Sequence, residues 1–311
     1  MLLNILFIVV GIALVLWGAD RLTDGAVAVA EKMKMPQIVI GLTIVAMGTS
    51  MPEFCVSFIS ALKGTSDLAV GNIVGSNIFN ALLIVGVSAL VAPMTIMETT
   101  VRKDIPFALV ASAMLLMMGL DGDISRVDAG ILFAMFLIFM YMTLKGAKKQ
   151  GADAETADEA EGKKPMATWL SVVWILVGLL CLIGGSNLFV EGATAVATSL
   201  GVSEAVIGLT IVAGGTSLPE LATSVVSARK GNSGIAIGNA LGSNVFNILA
   251  SLGITGVITP MTLNGITVTD LSMLVISIML VWLFSFTKYK IERWEGAVLT
   301  AVFVGYIYSL L

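Results

Sequence analysis

Two glutamates stand in matching polar motifs of a strongly apolar chain. Glu53 ends the segment GLTIVAMGTSMPE (41–53), and Glu220 ends GLTIVAGGTSLPE (208–220), 167 positions later. Each carboxylate follows a dozen uncharged residues, where an unpaired charge is costly and therefore usually functional. A carboxylate in each half of the chain predicts a cation-binding site.

The residues before each glutamate can supply further oxygen ligands. Pro52 and Pro219 lack an N–H and crowd the preceding turn, so we expect them to break the helix and release backbone carbonyls. Lipid could not solvate such carbonyls, so the broken turns should face the protein interior or a wet cavity. Hydroxyl groups lie within one helical turn of each glutamate, at Thr49, Ser50, Thr216 and Ser217. Clusters of oxygens of this kind bind hard cations.

A second motif, GNxxGSNxFN, follows at 71–80 and 238–247. Its glycines are four residues apart, a spacing that permits close backbone approach between membrane helices. It also places a serine and an asparagine one turn apart on one face, which adds the candidate ligands Ser76, Asn80, Ser243 and Asn247. Of the other asparagines, one pair extends this polar stripe (Asn72, Asn239), and the other is expected to bond between helices (Asn77, Asn244).

The composition of the site favours calcium. The chain has no histidine, and no Lys or Arg lies in the interior of a predicted span, so each glutamate must be protonated or satisfied by a cation. Two carboxylates match one divalent ion, and Ca²⁺ accepts carboxylate and carbonyl oxygens at flexible distances, whereas Mg²⁺ holds its waters. The lack of imidazole and thiolate disfavours transition metals. Na⁺ can use the same hydroxyls and carbonyls, so the two ions should compete.

The elements that must position these residues are membrane helices. Hydrophobic residues make up 57% of the chain and charged residues 12%, and the mean hydropathy is +0.99, which excludes an ordinary soluble domain. Stretches able to cross about 30 Å of hydrocarbon predict an all-α polytopic protein with ten transmembrane helices, near 2–19, 38–62, 68–92, 105–120, 124–144, 168–188, 204–228, 235–259, 267–287 and 294–311. The first stretch is interpreted as a retained helix, and Cys55 and Cys181 as packing residues.

An internal duplication organises these helices. Residues 39–80 and 206–247 match without a gap, with about two-thirds of positions identical, and the repeat unit is about five helices. Since five is odd, the second copy must be inverted, with broken helices 2 and 7 meeting at the bilayer midplane, an architecture that supports alternating access. We divide the chain into a first repeat (1–145), a linker (146–167) and a second repeat (168–311).

The distribution of basic residues predicts the orientation. The connections after odd-numbered spans hold most of the basic residues: Lys32, Lys34, Arg102, Lys103, Lys145, Lys148, Lys149, Lys163, Lys164, Arg229, Lys230, Lys288, Lys290 and Arg293. The opposite face of the membrane has only Lys63 and Arg126. The positive-inside rule then makes these connections and the linker cytoplasmic, with both termini outside an inner (plasma) membrane.

At the two motifs the chain resembles the calcium/cation antiporter superfamily, particularly its prokaryotic sodium/calcium exchanger branch. The resemblance covers 39–80 and 206–247 and, through the layout of five plus five helices, nearly the whole chain. It implies that Glu53 and Glu220 are the central Ca²⁺ ligands and that several Na⁺ ions move inward while one Ca²⁺ leaves. It also implies ligation by the carbonyls of Ala46 and Ala213, by the side chains of Thr49, Ser50, Thr216 and Ser217, and by Ser76, Asn80, Ser243 and Asn247.

The chain departs from the pattern of some relatives. The resemblance implies that potassium-dependent exchangers carry Asp where this chain has Asn247, and this difference argues against potassium dependence. The segment 146–167 is also too short for the large cytoplasmic regulatory domain of animal relatives.

The residues leave other functions open. Proton/calcium exchange is an alternative, because burial favours the neutral form of a carboxyl group and both glutamates could carry protons. A passive channel or an intramembrane enzyme is a third hypothesis, but the sequence lacks His, an HExxH motif and paired aspartates in the spans. We expect no cofactor and no catalytic residue. The expected partners are Ca²⁺, Na⁺ and the lipid bilayer, with no nucleic acid and no protein partner.

Overall fold

The computed structural model describes residues 1–154, 166–201, 213–286 and 288–310, with backbone alone for 148–154 and Ala213. These ranges are helical apart from short connections and four two-residue strands. In chain order the helices are α1 (Leu2–Lys32), α2 (Gln37–Thr49), α3 (Met51–Leu62), α4 (Ser66–Val91), α5 (Thr100–Asp121), α6 (Arg126–Ala154), α7 (Thr168–Ser199), α8 (Ala213–Thr216), α9 (Leu218–Arg229), α10 (Ser233–Ile258), α11 (Val268–Ser285) and α12 (Arg293–Leu310).

The apolar helices make this a multi-pass membrane protein. Within the described ranges, seven helices are long and apolar enough to cross a membrane, and α2 with α3 forms an eighth span bent by 47°. The helix α12 lies where the tenth span was expected. The span expected near 204–228 is represented by α8 and α9, because 202–212 lie outside the described residues. The helix α6 continues into the segment 146–167, of which 155–165 lie outside the description.

Both helix breaks fall where the prolines predict them. The helix α2 ends at Thr49, and α3 begins at Met51 with Pro52 in its first turn. The corresponding break lies between α8 and α9, with Pro219 in the first turn of α9. A missing N–H is tolerated in a first turn and not in a helix interior, so each proline starts a new helix.

The helices α4 and α10 lie at the centre of the fold. In α10, 83% of the most apolar 18-residue stretch is buried, compared with 22% of the corresponding stretch in α1. Its glycines allow α2 to approach backbone to backbone: a Cβ on Gly238 would lie 2.7 Å from the Ile38 carbonyl oxygen. A Cβ on Gly242 would lie 2.7 Å from the Leu42 Cα. The close backbone approach predicted for the motif glycines is thus confirmed for this pair. It is not found for Gly71 and Gly75, where an added Cβ would meet only the Ile266 side chain at 3.2 Å from Gly71 and no described atom within 4 Å of Gly75.

Unpredicted π-helical turns interrupt both central helices. They span Phe79–Ile84 in α4 and Phe246–Ser251 in α10, so each begins one residue before a candidate asparagine ligand. Turns of this kind insert one extra residue and are frequent at functional sites. They change the directions of Asn80 and Asn247 relative to those on a regular α-helix.

Small residues at every seventh position pack α1 against α7. A Cβ on Gly11 would lie 2.7 Å from the Gly185 carbonyl oxygen, and one on Gly18 would lie 2.8 Å from that of Gly178. The full set of pairs is Asn4 with Gly192, Gly11 with Gly185, Gly18 with Gly178, and Gly25 with Ser171. The residue numbers of these pairs increase along α1 and decrease along α7, so the two helices run antiparallel in close contact.

Two short strand pairs join connections from the two halves. The strand β1 (Met94–Thr95) pairs antiparallel with β4 (Lys290–Ile291), and β2 (Asp123–Ile124) pairs with β3 (Met261–Thr262). Since β1 follows α4 and β3 follows α10, these pairs tie down the ends of both central helices. Pairs of two residues are too short to leave a periodic signal in sequence.

Candidate cation-binding site

The two glutamates are buried at equivalent places in the fold. Glu53 lies in the first turn of α3 and Glu220 in the first turn of α9, and each is 1% exposed. The first turn of a helix carries unpaired N–H groups and a partial positive charge, which favour a carboxylate there. The break before each proline therefore creates a helix N-terminus inside the protein and places a carboxylate on it.

Hydrogen bonds between the halves bring the two carboxylates into one site. The Ser50 hydroxyl donates to Glu220 Oε1 at 2.9 Å, and the Ser217 hydroxyl donates to Glu53 Oε1 at 3.1 Å. The serine of each motif thus bonds to the glutamate of the other motif. The sequence places each serine three residues before its own glutamate, and only the packing of the halves produces this exchange.

Several oxygen atoms at the site have no hydrogen-bond partner within the described part of the chain. They are Glu53 Oε2, Glu220 Oε2, Asn80 Oδ1, Asn247 Oδ1 and Ser243 Oγ, and all are buried. A buried carboxylate oxygen without a donor is strongly destabilising, because it has lost its hydrogen bonds to water and no protein hydrogen bond replaces them. A bound cation would satisfy these oxygens together.

Asn72 and Asn239 hold each carboxylate helix against the following helix. The Asn72 amide donates to the Glu53 carbonyl at 3.1 Å and to Ser57 Oγ at 2.9 Å. The Asn239 amide donates to the Glu220 carbonyl at 3.2 Å and to Ser224 Oγ at 3.0 Å. These asparagines thus bond between helices. Sequence reasoning missed both serines, although their retention at matched positions of the repeat was a usable signal.

The first half shows how the threonine and the carbonyl before a helix break are hydrogen-bonded. Thr49 Oγ1 donates to Asn239 Oδ1 at 3.1 Å and lies 3.3 Å from the Ala46 carbonyl, which also accepts from the Ser50 N–H at 3.0 Å. The Ala46 oxygen is therefore already hydrogen-bonded. In the second half, Thr216 lies at the end of α8 and engages a partner of its own. The backbone of Ala213 begins α8, directly after the gap in the described ranges.

Ser186 of α7 forms a hydrogen bond at the second helix break. Its hydroxyl donates to the Gly215 carbonyl, one of the oxygens expected to be released by Pro219. The equivalent position in α1 is Ala19, which has no hydroxyl. Sequence reasoning missed Ser186, and the repeat gave no signal for it because the two copies differ.

Asn77 orients a candidate ligand across the interface of α4 and α10. The Asn247 amide nitrogen donates to Asn77 Oδ1 at 3.4 Å, and the Asn244 amide donates to the Asn77 carbonyl at 3.3 Å. The interhelical role expected for Asn77 and Asn244 is thereby confirmed. Because the nitrogen of the Asn247 amide is engaged, its Oδ1 is left for a ligand.

Ser76 and Ser243 occupy equivalent positions on the central helices, and both are buried, with 6% and 0% exposure. Ser243 Oγ is among the unpartnered atoms, whereas Ser76 is not. Each serine lies one turn before the candidate asparagine of its helix. The oxygen stripe predicted on α4 and α10 is therefore buried on both helices.

The chemistry of the site is that of a cation cage. Neither glutamate takes part in an ion pair in the described ranges. Those ranges also contain no group of three or more His, Cys, Asp and Glu side chains able to hold a metal. The remaining ligands must therefore be neutral oxygens, which suits Ca²⁺ and Na⁺ better than transition metals.

Known proteins are similar to this chain in sequence. The family model described as sodium/calcium exchanger protein matches residues 3–145 and 170–311. The putative antiporter CaxA of Alkalimonas amylolytica is 37% identical over 100% of this chain and 99% of its own length. The inner membrane protein YrbG of Escherichia coli K12 is 36% identical over 100% of this chain and 97% of its own length.

A solved structure has the same fold. It is that of the sodium-calcium exchanger NCX_Mj soaked with Na⁺ and Sr²⁺, which superposes with a TM-score of 0.87 at 31% identity and covers 100% of this chain and 99% of that one. Together with the buried paired carboxylates, these matches show that the chain belongs to the sodium/calcium exchanger family of the calcium/cation antiporter superfamily.

Proposed function

We propose that this protein exchanges Na⁺ for Ca²⁺ across the inner membrane by alternating access, with both ions bound between the halves at Glu53 and Glu220. The observation that carries the proposal is the pair of buried Oε2 atoms without hydrogen-bond partners in the described ranges. Their two negative charges match one Ca²⁺ or, with the neutral oxygens around them, several Na⁺ ions. An ion-coupled exchanger needs such a shared site, because each ion must displace the other.

The proposed ligands divide by type. Glu53, Glu220, Asn80, Asn247 and Ser243 would bind through the atoms that lack partners. Ser50 and Ser217 would bind through oxygens that now donate to the opposite glutamate. The others would complete the set as their hydrogen bonds rearrange: Thr49, Thr216, Ser76 and the carbonyls of Ala46 and Ala213.

Ten spans in two inverted repeats (1–145 and 168–311) would supply the two access states. The antiparallel pairing of α1 with α7 supports this architecture, since the two helices are repeat copies that meet through equivalent small residues. The crossed bonds of Ser50 with Glu220 and of Ser217 with Glu53 have the same twofold relationship. The orientation with cytoplasmic odd-numbered connections and linker, and with both termini outside, continues to follow from the basic residues.

Proton/calcium exchange through the same carboxylates is the alternative. It draws on the fact that both glutamates are buried without an ion-pair partner in the described ranges, a setting in which a carboxyl group readily holds a proton. The hydroxyl and amide oxygens around them favour sodium, because a protonated carboxyl group needs no such cage.

One experiment separates these functions. Purified protein in liposomes is loaded with Na⁺ and diluted into medium containing ⁴⁵Ca²⁺, with a protonophore present to collapse the proton gradient. Sodium exchange predicts rapid Ca²⁺ uptake that stops when internal Na⁺ is replaced by choline. Uptake that requires a proton gradient and ignores Na⁺ would support the alternative. Uptake that needs neither gradient would show a channel.

A further inference from the structure

An ion-pair cluster joins α1 to the end of α9. Lys230 Nζ lies 2.6 Å from Asp20 Oδ1 and 2.7 Å from Asp24 Oδ1. Arg21 completes the cluster, with Nη2 2.8 Å from Asp20 Oδ2. The side chains of Lys230, Asp20 and Asp24 are 29%, 32% and 35% exposed, so water screens these charges only partly.

Neighbouring contacts hold this cluster in place. The Arg21 guanidinium lies over the rings of Trp17 and Trp174, with Cζ 5.9 Å and 5.2 Å from their centroids. In α1, Thr23 lies between the two aspartates, and its hydroxyl is hydrogen-bonded to that of Ser227 at 2.9 Å. Both residues are fully buried. Because α9 carries Glu220, the cluster connects α1 directly to a helix of the cation site.

The repeat offers an equivalent pair of positions, and within the described residues the contact is absent there. At the offset of 167, Lys63 corresponds to Lys230, and Glu191 corresponds to Asp24. Both residues are exposed, and neither has an ion-pair partner in the described ranges. The helices that carry these residues differ in the same way. The helix α1 packs along α9, whereas their repeat equivalents, α7 and α3, make little contact.

We propose that Lys230 with Asp20 and Asp24 is a latch that holds one access state, and that Lys63 with Glu191 is its counterpart in the other state. This inference rests on the proposed alternating access. When inverted repeats exchange their conformations, each contact of one repeat is replaced by the equivalent contact of the other. The latch around Lys230 then opens as α3 comes to lie along α7, and Lys63 meets Glu191.

The two latches differ in their number of charged side chains. The position equivalent to Asp20 is Asn187, and the position equivalent to Arg21 is Leu188. The Lys230 latch therefore has two carboxylates, whereas its counterpart has one. With Arg21 beside Asp20, the Lys230 latch is a network of four charges, which contributes more than the single pair of its counterpart. The chain thus favours the state closed at Lys230, on the proposed cytoplasmic face.

Transport measured separately from the two faces tests this bias. Lys230→Met should raise the apparent Ca²⁺ affinity at the face bearing Lys230 and lower it at the opposite face, by about two- to fivefold, the range of partly exposed ion pairs. Asn187→Asp should shift both affinities in the same directions, because it strengthens the counterpart. Lys63→Met should shift them in the opposite directions. Equal shifts from the two lysine variants, or none, would overturn the proposal.

The electrostatic origin is tested by combining variants. Asp24→Asn should produce part of the shift of Lys230→Met, because the ion pair of Lys230 with Asp20 remains. In the Lys230→Met background, Asp24→Asn should add little, because its bond to Lys230 is already broken. Fully additive shifts would mean that the two residues act independently and would contradict the latch.

Chemical cross-linking tests the exchange without measuring transport. In a background with Cys55→Ser and Cys181→Ala, the pairs Asp24→Cys with Lys230→Cys and Lys63→Cys with Glu191→Cys are treated in liposomes with a short bifunctional thiol reagent. Both pairs should link, and in a chain with all four cysteines either link should prevent the other. Chains carrying both links would refute the latch. If the wild-type protein showed no sodium-driven uptake, the proposed function would be refuted, but the cross-linking result could still be interpreted.

Discussion

The Ser50 hydroxyl donates to Glu220, 170 positions away, at 2.9 Å, and Ser217 repeats this bond to Glu53 at 3.1 Å. Each half of the proposed cation site is therefore completed by the other half. An ion that pulls on either carboxylate must disturb a bond between the repeats, which links ion binding to their relative position.

Neutralising either carboxylate should abolish transport. We expect Glu53→Gln and Glu220→Gln each to reduce sodium-driven ⁴⁵Ca²⁺ uptake about 100-fold or more, since even outer partners of metal ligands carry effects of 10- to 100-fold. Glu295→Gln is the matched control: Glu295 is also buried in the first turn of a helix, where it accepts from the Glu292 N–H at 2.7 Å. Normal uptake by either site variant would refute the site.

Removing one of the crossed hydroxyls should weaken the site without destroying it. Ser50→Ala deletes a charge-assisted hydrogen bond to Glu220 and a candidate ligand, so the Ca²⁺ concentration for half-maximal uptake should rise about tenfold. Ser217→Ala should do the same through Glu53. Ser277→Ala serves as the control, because Ser277 is buried but donates only within its own helix. An effect of Ser277→Ala equal to that of Ser50→Ala would indicate general loosening.

Asn77 should act through Asn247. Asn77→Leu removes the acceptor of the Asn247 amide, and we expect about a fivefold weaker apparent ion affinity, as for loss of one buried hydrogen bond. In an Asn247→Ala background the same substitution should have little effect. Asn244→Leu is the comparison variant, since Asn244 bonds only to the Asn77 carbonyl among the described residues. Titration of uptake against Na⁺ and Ca²⁺ measures both affinities, and additive losses would show that Asn77 does not work through Asn247.

The glycine contacts of α1 with α7 should be intolerant of a methyl group. A Cβ on Gly18 would lie 2.8 Å from the Gly178 carbonyl oxygen, so Gly18→Ala should destabilise the protein by about 1–3 kcal/mol. Gly130→Ala in α6 is the control, because a Cβ there meets no described atom within 4 Å and should stabilise the helix by about 0.4–1 kcal/mol. Thermal unfolding in detergent should therefore separate the two variants in opposite directions, and equal midpoints would contradict the tight packing.

The main features of fold and site follow from the sequence for physical reasons. The prolines fixed both helix breaks, because a missing N–H cannot be accommodated in a helix interior. The apolar stretches indicated a multi-pass membrane protein. The duplication located the two glutamates and the asparagine motifs. The π-helical turns and the strand pairs left no comparable signal, because each involves only a few residues.

The sequence by itself determined which residues are polar within an apolar chain and that they occur twice, since composition and spacing are properties of the chain alone. Only the tertiary structure decided that Ser50 meets Glu220, that Asn77 engages Asn247, and that among the described residues Lys230 has an ion-pair partner while Lys63 has none. Each of these relationships depends on how distant helices pack or on which of two equivalent arrangements is occupied. Two nearly identical motifs cannot encode that difference locally.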